Sequence, residues 1–310
     1  MSKRIVTAVA LIGAAGVISG CSLEQPSAGC IVQDSIDYPW QAVYELTKGD
    51  ANKSCGKLKG EALGVWKYVQ FDKDENERLT RKGAKLGIRP EGLASKFAVT
   101  FKDEVLNADG TVKLDDKGMP VMKDRTVERV DNARKEDPTD IEAEDDYNVA
   151  KAATALSKTL ADEPDDNGLC ATTEFSTASV SAKRVVREDE VKGITVEVVP
   201  QESLSYSFSD VQVYSDPSAP GTQLKGSLTY TTKEADGTDC VAEYKVLALW
   251  PQVECDPEAF ANPTEENKAD RCDVGSGLNP DFDAVCVDGI GPDGAAACVP
   301  NGRVPAFKNK

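Results

Sequence analysis

The chain has 310 residues, with 36 Lys and Arg against 53 Asp and Glu and no histidine. A net charge of −17 opposes nucleic acid or an anionic membrane surface as the main partner. The missing imidazole excludes Ser-His-Asp and Cys-His triads and any metal site with a histidine ligand. Hydrophobic residues at 40 % and aromatics at 6 % allow a lean core with long solvated stretches, in one or two domains.

Lys3 and Arg4 precede a charge-free run from Ile5 to Ile18. That run has signal-peptide length and falls short of the ~20 residues of a spanning helix. Ile18-Ser19-Gly20-Cys21 then resembles the lipobox of bacterial lipoproteins, cut by signal peptidase II. The resemblance implies that residues 1–20 are a leader and that Cys21 carries a thioether-linked diacylglycerol and an N-acyl chain of the palmitate type. The membrane would then be a partner through those chains, since each buried CH₂ contributes about 0.8 kcal/mol. An ordinary secretory leader with a chance cysteine is the alternative. Ser22, in place of an aspartate, favours the outer membrane over the inner. Loss of Lys3 and Arg4 with the leader takes the net charge from −17 to −19.

Residues 21–35 read as a short lipidated tether. Residues 36–71 read as a strand pair. From Tyr38 to Thr47, Trp40, Ala42, Tyr44 and Leu46 alternate with mostly polar neighbours, and Glu61 to Phe71 is apolar on both faces. The two are expected to pair antiparallel.

Residues 72–169 read as a charged insertion. Asp72 to Lys135 holds 15 basic and 13 acidic residues, with turn signals at Asn107–Gly110 and Asp116–Gly118 and a short helix expected at Pro90–Lys96. Glu136 to Asp166 carries 11 acids against Lys151 and Lys158. Within it Val149, Ala152, Ala153, Leu156 and Leu160 form one stripe, which predicts a helix over 145–160.

Residues 170–254 form the predicted sheet core, with strands at Thr172–Ala182, Ile194–Val199, Leu204–Tyr214, Leu224–Thr231 and Val241–Trp250. Asp236-Gly237 is a hairpin signal, and Asp216 to Gly221 a looser turn. In the third strand the apolar parity flips between Phe208 and Val211, which predicts a β-bulge near Ser209–Asp210. Residues 255–310 are rich in Pro, Gly, Asp and Asn and read as a coil framed by disulfides rather than by a core.

Setting Cys21 aside, eight cysteines remain: Cys30, Cys55, Cys170, Cys240, Cys255, Cys272, Cys286 and Cys298. An even number in an exported chain reads as four disulfides. Proximity favours Cys30–Cys55 and Cys286–Cys298. Cys170 and Cys240 each head a strand and suit a cross-sheet bridge. Eight cysteines allow 105 pairings, so the rest stays open.

Motifs with chemical meaning fail on their context. Gly289 to Gly294 matches G-x-G-x-x-G but lies in a cysteine-bounded loop, without the strand and helix that a dinucleotide site needs. Asp72, Asp74 and Asn76 match the first EF-hand ligands, but Glu77 and Gly83 replace the defining glycine and glutamate. The run Asp140–Asp146 reads as a solvated helix start before a calcium site. No cofactor or metal is expected.

Three short stretches add a family likeness. Gly275 to Phe282 before Cys286, Cys30 to Asp34 leading to Trp40, and Gly64 to Tyr68 resemble cysteine-containing lipoproteins of the myxobacterial type. The resemblance implies a surface lipoprotein and carries over no catalytic residue.

The expected fold is mainly β: an antiparallel β-sandwich, or alternatively a lipocalin-like barrel, with a charged, partly helical insertion and a disulfide-framed C-terminal coil. The expected function is a non-enzymatic, lipid-anchored envelope protein that binds a protein or glycan. A carrier of small apolar ligands on a closed barrel is the second reading, and requires a pocket of ~300 Å³ or more lined by strand side chains. A histidine-free hydrolase is the third, and requires two carboxylates facing across a cleft.

Overall fold

The computed structural model describes residues 29–130, 149–189, 193–234 and 236–309. The leader, Cys21 and the acidic run Asp140–Asp146 lie outside them. The main sheet is built from β1 (Trp40–Lys48), β2 (Gly60–Lys73), β3 (Leu79–Pro90), β6 (Ala155–Leu160), β7 (Leu169–Phe175), β8 (Ala178–Ala182), β11 (Glu202–Asp216), β12 (Ala219–Lys233) and β13 (Asp239–Leu249). Two side hairpins interrupt this order, β4 (Ala98–Glu104) with β5 (Met122–Glu128) and β9 (Val185–Asp189) with β10 (Ile194–Val199).

Each main strand pairs antiparallel with the one before it, in the succession β1-β2-β3-β6-β7-β11-β12-β13. β13 then pairs back onto β1, from Gln41 opposite Leu249 to Tyr44 opposite Val246. β8 continues the line of β7 along the same edge of β11. The class is therefore mainly antiparallel β, in a meander whose last strand meets its first.

Alternation explains which side is filled. Trp40, Ala42 and Tyr44 of β1, Leu63 and Val65 of β2, and Ala84, Leu86 and Ile88 of β3 point inward and are buried in one cluster with Tyr206, Leu224, Leu228 and Tyr244. Each fully buried Leu or Ile there contributes roughly 1.5–3 kcal/mol. The space enclosed by the strands is thus occupied by side chains.

The bulge falls where the parity flip placed it. Ser209 faces Ser227 and Gln212 faces Lys225, so Asp210 and Val211 oppose Gly226 alone. Asp210 has φ of 52°, and Phe208 and Val211 are both buried. Gly226 makes the room, since a Cβ there would stand 2.9 Å from Val211 Cγ2.

Several expectations are corrected. The segment 72–169 is not wholly a solvated insertion, because β3 and β6 are main-sheet strands. The helix over 145–160 is reduced, among the described residues, to Val149–Ala152, and Ala155–Leu160 is strand. Pairing with β3 and β7 on its two edges outweighs the helical stripe. The strand Thr172–Ala182 breaks at Ser176 and Thr177, and Ile194–Val199 joins a side hairpin instead of the main sheet. The short helix expected at Pro90–Lys96 is α1 (Glu91–Ala94).

All eight cysteines are bonded, but in other pairs than proximity favoured. The bridges are Cys30–Cys170, Cys55–Cys240, Cys255–Cys286 and Cys272–Cys298. Folding the meander brings β13 beside β1 and β7 beside the entering chain, so distance in space outweighs distance in sequence.

The C-terminal segment has a core of its own as well as its bridges. Leu278, Phe282 and Phe307 pack with Leu247 and Leu249 on the outer face of β13, and the hairpin β14 (Ala284–Val287) with β15 (Ala297–Pro300) packs with Val43. Two buried glutamines clip this layer to the sheet. Gln41 donates to the Ile290 carbonyl at 2.8 Å, and the Ala306 N–H donates to Gln223 Oε1 at 2.7 Å.

Candidate functional site

Three places concentrate polar chemistry. The first is inside the sheet. Glu61 of β2 accepts from Tyr44 Oη at 3.0 Å and from the Gly92 N–H of α1, and Tyr206 also hydrogen-bonds it. Burial pushes its carboxyl up to about 7, against the opposing pull of these three donors. Burial also drives the Tyr44 and Tyr206 hydroxyls well above their ordinary value. Gly92 makes room for this network, since a Cβ there would stand 2.5 Å from Tyr206 Oη. The hydrogen-bond partners of Glu61 are phenols and an amide, and the neighbouring Glu91 carboxylate adds to the upward push.

The second is a structural ion cluster. Arg129, 3 % exposed, donates to Glu202 at 2.8 Å and to the Lys183 and Pro200 carbonyls, and Lys96 donates to the other Glu202 oxygen at 2.7 Å. Burial raises the Glu202 carboxyl, and the hydrogen bonds from Lys96 and Arg129 overcome it, leaving it below its ordinary value. The cluster fastens both side hairpins to β11.

The third is open. A groove of about 730 Å³ runs over the outer face of β3, β6 and β7. Its apolar lining comes from Tyr68, Leu156 and Phe175, and its cations are Lys85, Arg89, Lys151 and Lys158 against Glu174 alone. The floor is shaped by two glycines that accept aromatic rings. Tyr68 lies over Gly87, whose added Cβ would stand 2.7 Å from the ring, and Trp66 lies over Gly64. Arg89 stacks 5.1 Å above Trp66 and donates from Nε to Thr154 at 2.9 Å, which fixes its guanidinium. Lys158 lies 3.6 Å from Glu174. Among the described residues, the ammonium groups of Lys85 and Lys151 have no ion-pair partner.

The groove follows from a local break in the ladder. Between Ala84 opposite Leu160 and Gly87 opposite Leu156 the register shifts, and the Leu86 N–H donates to Ser157 Oγ at 2.8 Å instead of to a carbonyl. The carrier reading asked for a pocket lined by strand side chains, and this one lies on the outer wall, not in the interior. The sequence reading gave none of its residues a binding role. The signal was there in Ala84 to Arg89, where Lys85, Gly87 and Arg89 alternate with the inward Ala84, Leu86 and Ile88.

The discounted motifs resolve as turns. Asp74 closes the β2–β3 hairpin by accepting from the Asn76 and Arg78 N–H groups. Gly289 to Gly294 joins β14 to β15 and places Ile290 under Gly60 of β2. Cys255, Cys272 and Cys298 place their sulfurs within 4.8 Å of one another, but all three are consumed in disulfides and offer no thiolate to a metal. No helix among the described residues is long and apolar enough to cross a membrane.

These features define a disulfide-bonded antiparallel β domain with a C-terminal layer on one outer wall and a cationic groove on another. The chain belongs to the MlpA family, whose pattern matches residues 38–251, from the approach to β1 to the end of β13. It is similar over 99 % of its length to all of a Myxococcus xanthus protein named "Putative lipoprotein MlpA", at 30 % identity. No solved structure matches it.

Proposed function

We propose that this chain is a lipid-anchored protein of the cell envelope, held at the outer membrane by acyl chains on Cys21, and that its β domain is a binding module, not a catalyst. The groove over β3, β6 and β7 carries this reading: it presents four cations and an apolar floor to solvent. The Ile18–Cys21 box and the name of the Myxococcus xanthus relative support the anchor.

The intact mass of the protein from its native host tests the anchor, before and after reduction with alkylation. The expected result is a chain starting at Cys21 with acyl chains added and eight thiols appearing on reduction. A chain without acyl mass overturns the anchor. A Cys21→Ser chain is expected to leave the membrane fraction.

A further inference from the structure

The groove lining combines two chemistries, and together they define a ligand class. This inference rests on the binding role proposed above and deepens it. Of the apolar lining, Tyr68 covers Gly87, Leu156 comes from β6, and Phe175 reaches from the groove towards the core, its ring 6.3 Å from that of Phe208. Of the cations, Arg89 is already committed to Trp66 and Thr154, and Lys158 to Glu174. That leaves Lys85 on β3 and Lys151 ahead of β6, two ammonium groups on the lining without a paired acid among the described residues. The whole chain carries −17, so a wall with four cations against one acid is a local reversal of sign. A purely ionic ligand would leave the apolar floor wet, and a purely apolar one would leave the two lysines unused.

We propose that the groove binds a single anionic amphiphile, with a phosphate or carboxylate head at Lys85 and Lys151 and an aliphatic chain on the Tyr68–Leu156–Phe175 floor. The volume of about 730 Å³ lies within the ~300–1,000 Å³ range of small-molecule sites. Lysine suits the head because it meets phosphate as a point charge with three donors.

The test is calorimetric titration of the full mature chain carrying Cys21→Ser, so that its outcome does not depend on acylation. The probes are octyl phosphate, octyl glucoside, octyltrimethylammonium and inorganic phosphate, each below its micelle concentration. Octyl phosphate is expected to bind about ten-fold or more tighter than any of the other three. Lys85→Glu with Lys151→Glu is expected to weaken it by about ten-fold or more, and Phe175→Ser to weaken octyl phosphate and octyl glucoside by the same factor. A circular-dichroism spectrum identical to that of the parent shows that each variant is folded, and Lys85→Gln with Lys151→Gln serves if the double glutamate is not. Equal binding of octyl phosphate and octyl glucoside overturns the anionic head. Equal binding of inorganic phosphate overturns the chain. Octyl phosphate binding that appears only after the acids of 136–146 are neutralised overturns the proposal, because the groove cations are then satisfied by the protein itself. Binding of an acidic oligosaccharide such as tetragalacturonate, with none of octyl phosphate, overturns the amphiphile and leaves the binding module standing.

Discussion

The wall made by β12, β13 and β1 and the wall made by β3, β6 and β7 belong to one sheet and share one interior, yet the C-terminal layer covers part of the first from outside and the second is open. On the covered wall, Val246 and Ala248 point in while Leu247 and Leu249 point out, and all four are buried. The buried polar residues of that wall are glutamines, Gln41 and Gln223, which hydrogen-bond the backbone of the covering layer. On the open wall the inward residues are equally apolar, but the outward ones are Lys85, Arg89 and Lys158, with aromatic rings folded over glycines between them. The inward face thus reports the fold, and the outward face reports what each wall meets. An apolar outward face meets protein, and a cationic one with an apolar floor meets a ligand.

The largest expected effect sets the two walls against each other directly. Leu247→Asp buries a carboxylate under the C-terminal layer and is expected to cost more than about 4 kcal/mol in urea unfolding. Lys85→Asp makes the same charge on the open wall and is expected to stay within about 0.5 kcal/mol. Equal losses would erase the distinction between the walls.

A smaller effect isolates the seal. Cys272→Ser with Cys298→Ser removes a bridge spanning 26 residues and is expected to cost roughly 3–4 kcal/mol. The loss is expected to fall on the covering layer, so that limited proteolysis cuts within residues 253–309 before it cuts the strands. Simultaneous cutting everywhere would make the layer and the sheet one cooperative unit.

The smallest concerns the interior that both walls enclose. The Glu61 carboxyl is raised from its ordinary 4.5 to about 7 in the folded chain. A raised acid binds its proton more tightly when folded, so its contribution is fully present below about pH 4.5 and is lost as pH rises through about 7. Stability is expected to fall by roughly 3 kcal/mol at most across that window. Glu61→Gln is expected to flatten this slope, with both proteins compared by urea midpoint at each pH. A variant that keeps the slope would assign it to another group.

Much of the inward face was legible from the residues. Trp40, Ala42 and Tyr44, the antiparallel β1–β2 pair, the β12–β13 hairpin at Asp236-Gly237 and the bulge beside Asp210 follow from period-two alternation and turn chemistry. β3 was hidden because charge summed over 64 residues conceals six that alternate, Ala84 to Arg89. β6 was hidden because a stripe at helical spacing also serves a strand once β3 and β7 supply partners on both edges. The groove was hidden for a third reason: its lining comes from β2, β3, β6 and β7, brought together by sheet order, which no window along the chain displays. The disulfides share that cause, with Cys55 and Cys240 separated by 185 residues.

The Cys30–Cys170 bridge sets how the domain carries load. It joins the start of the described chain to β7 and spans 140 residues. A pull on the N-terminal end therefore enters the sheet through sulfur at its middle, not by peeling β1 from β2. The intervening strands β1, β2, β3 and β6 lie outside the line of force while the bond is intact. Reduction would move the point of attack to β1 and turn a shear on the whole sheet into an unzipping of its first strand.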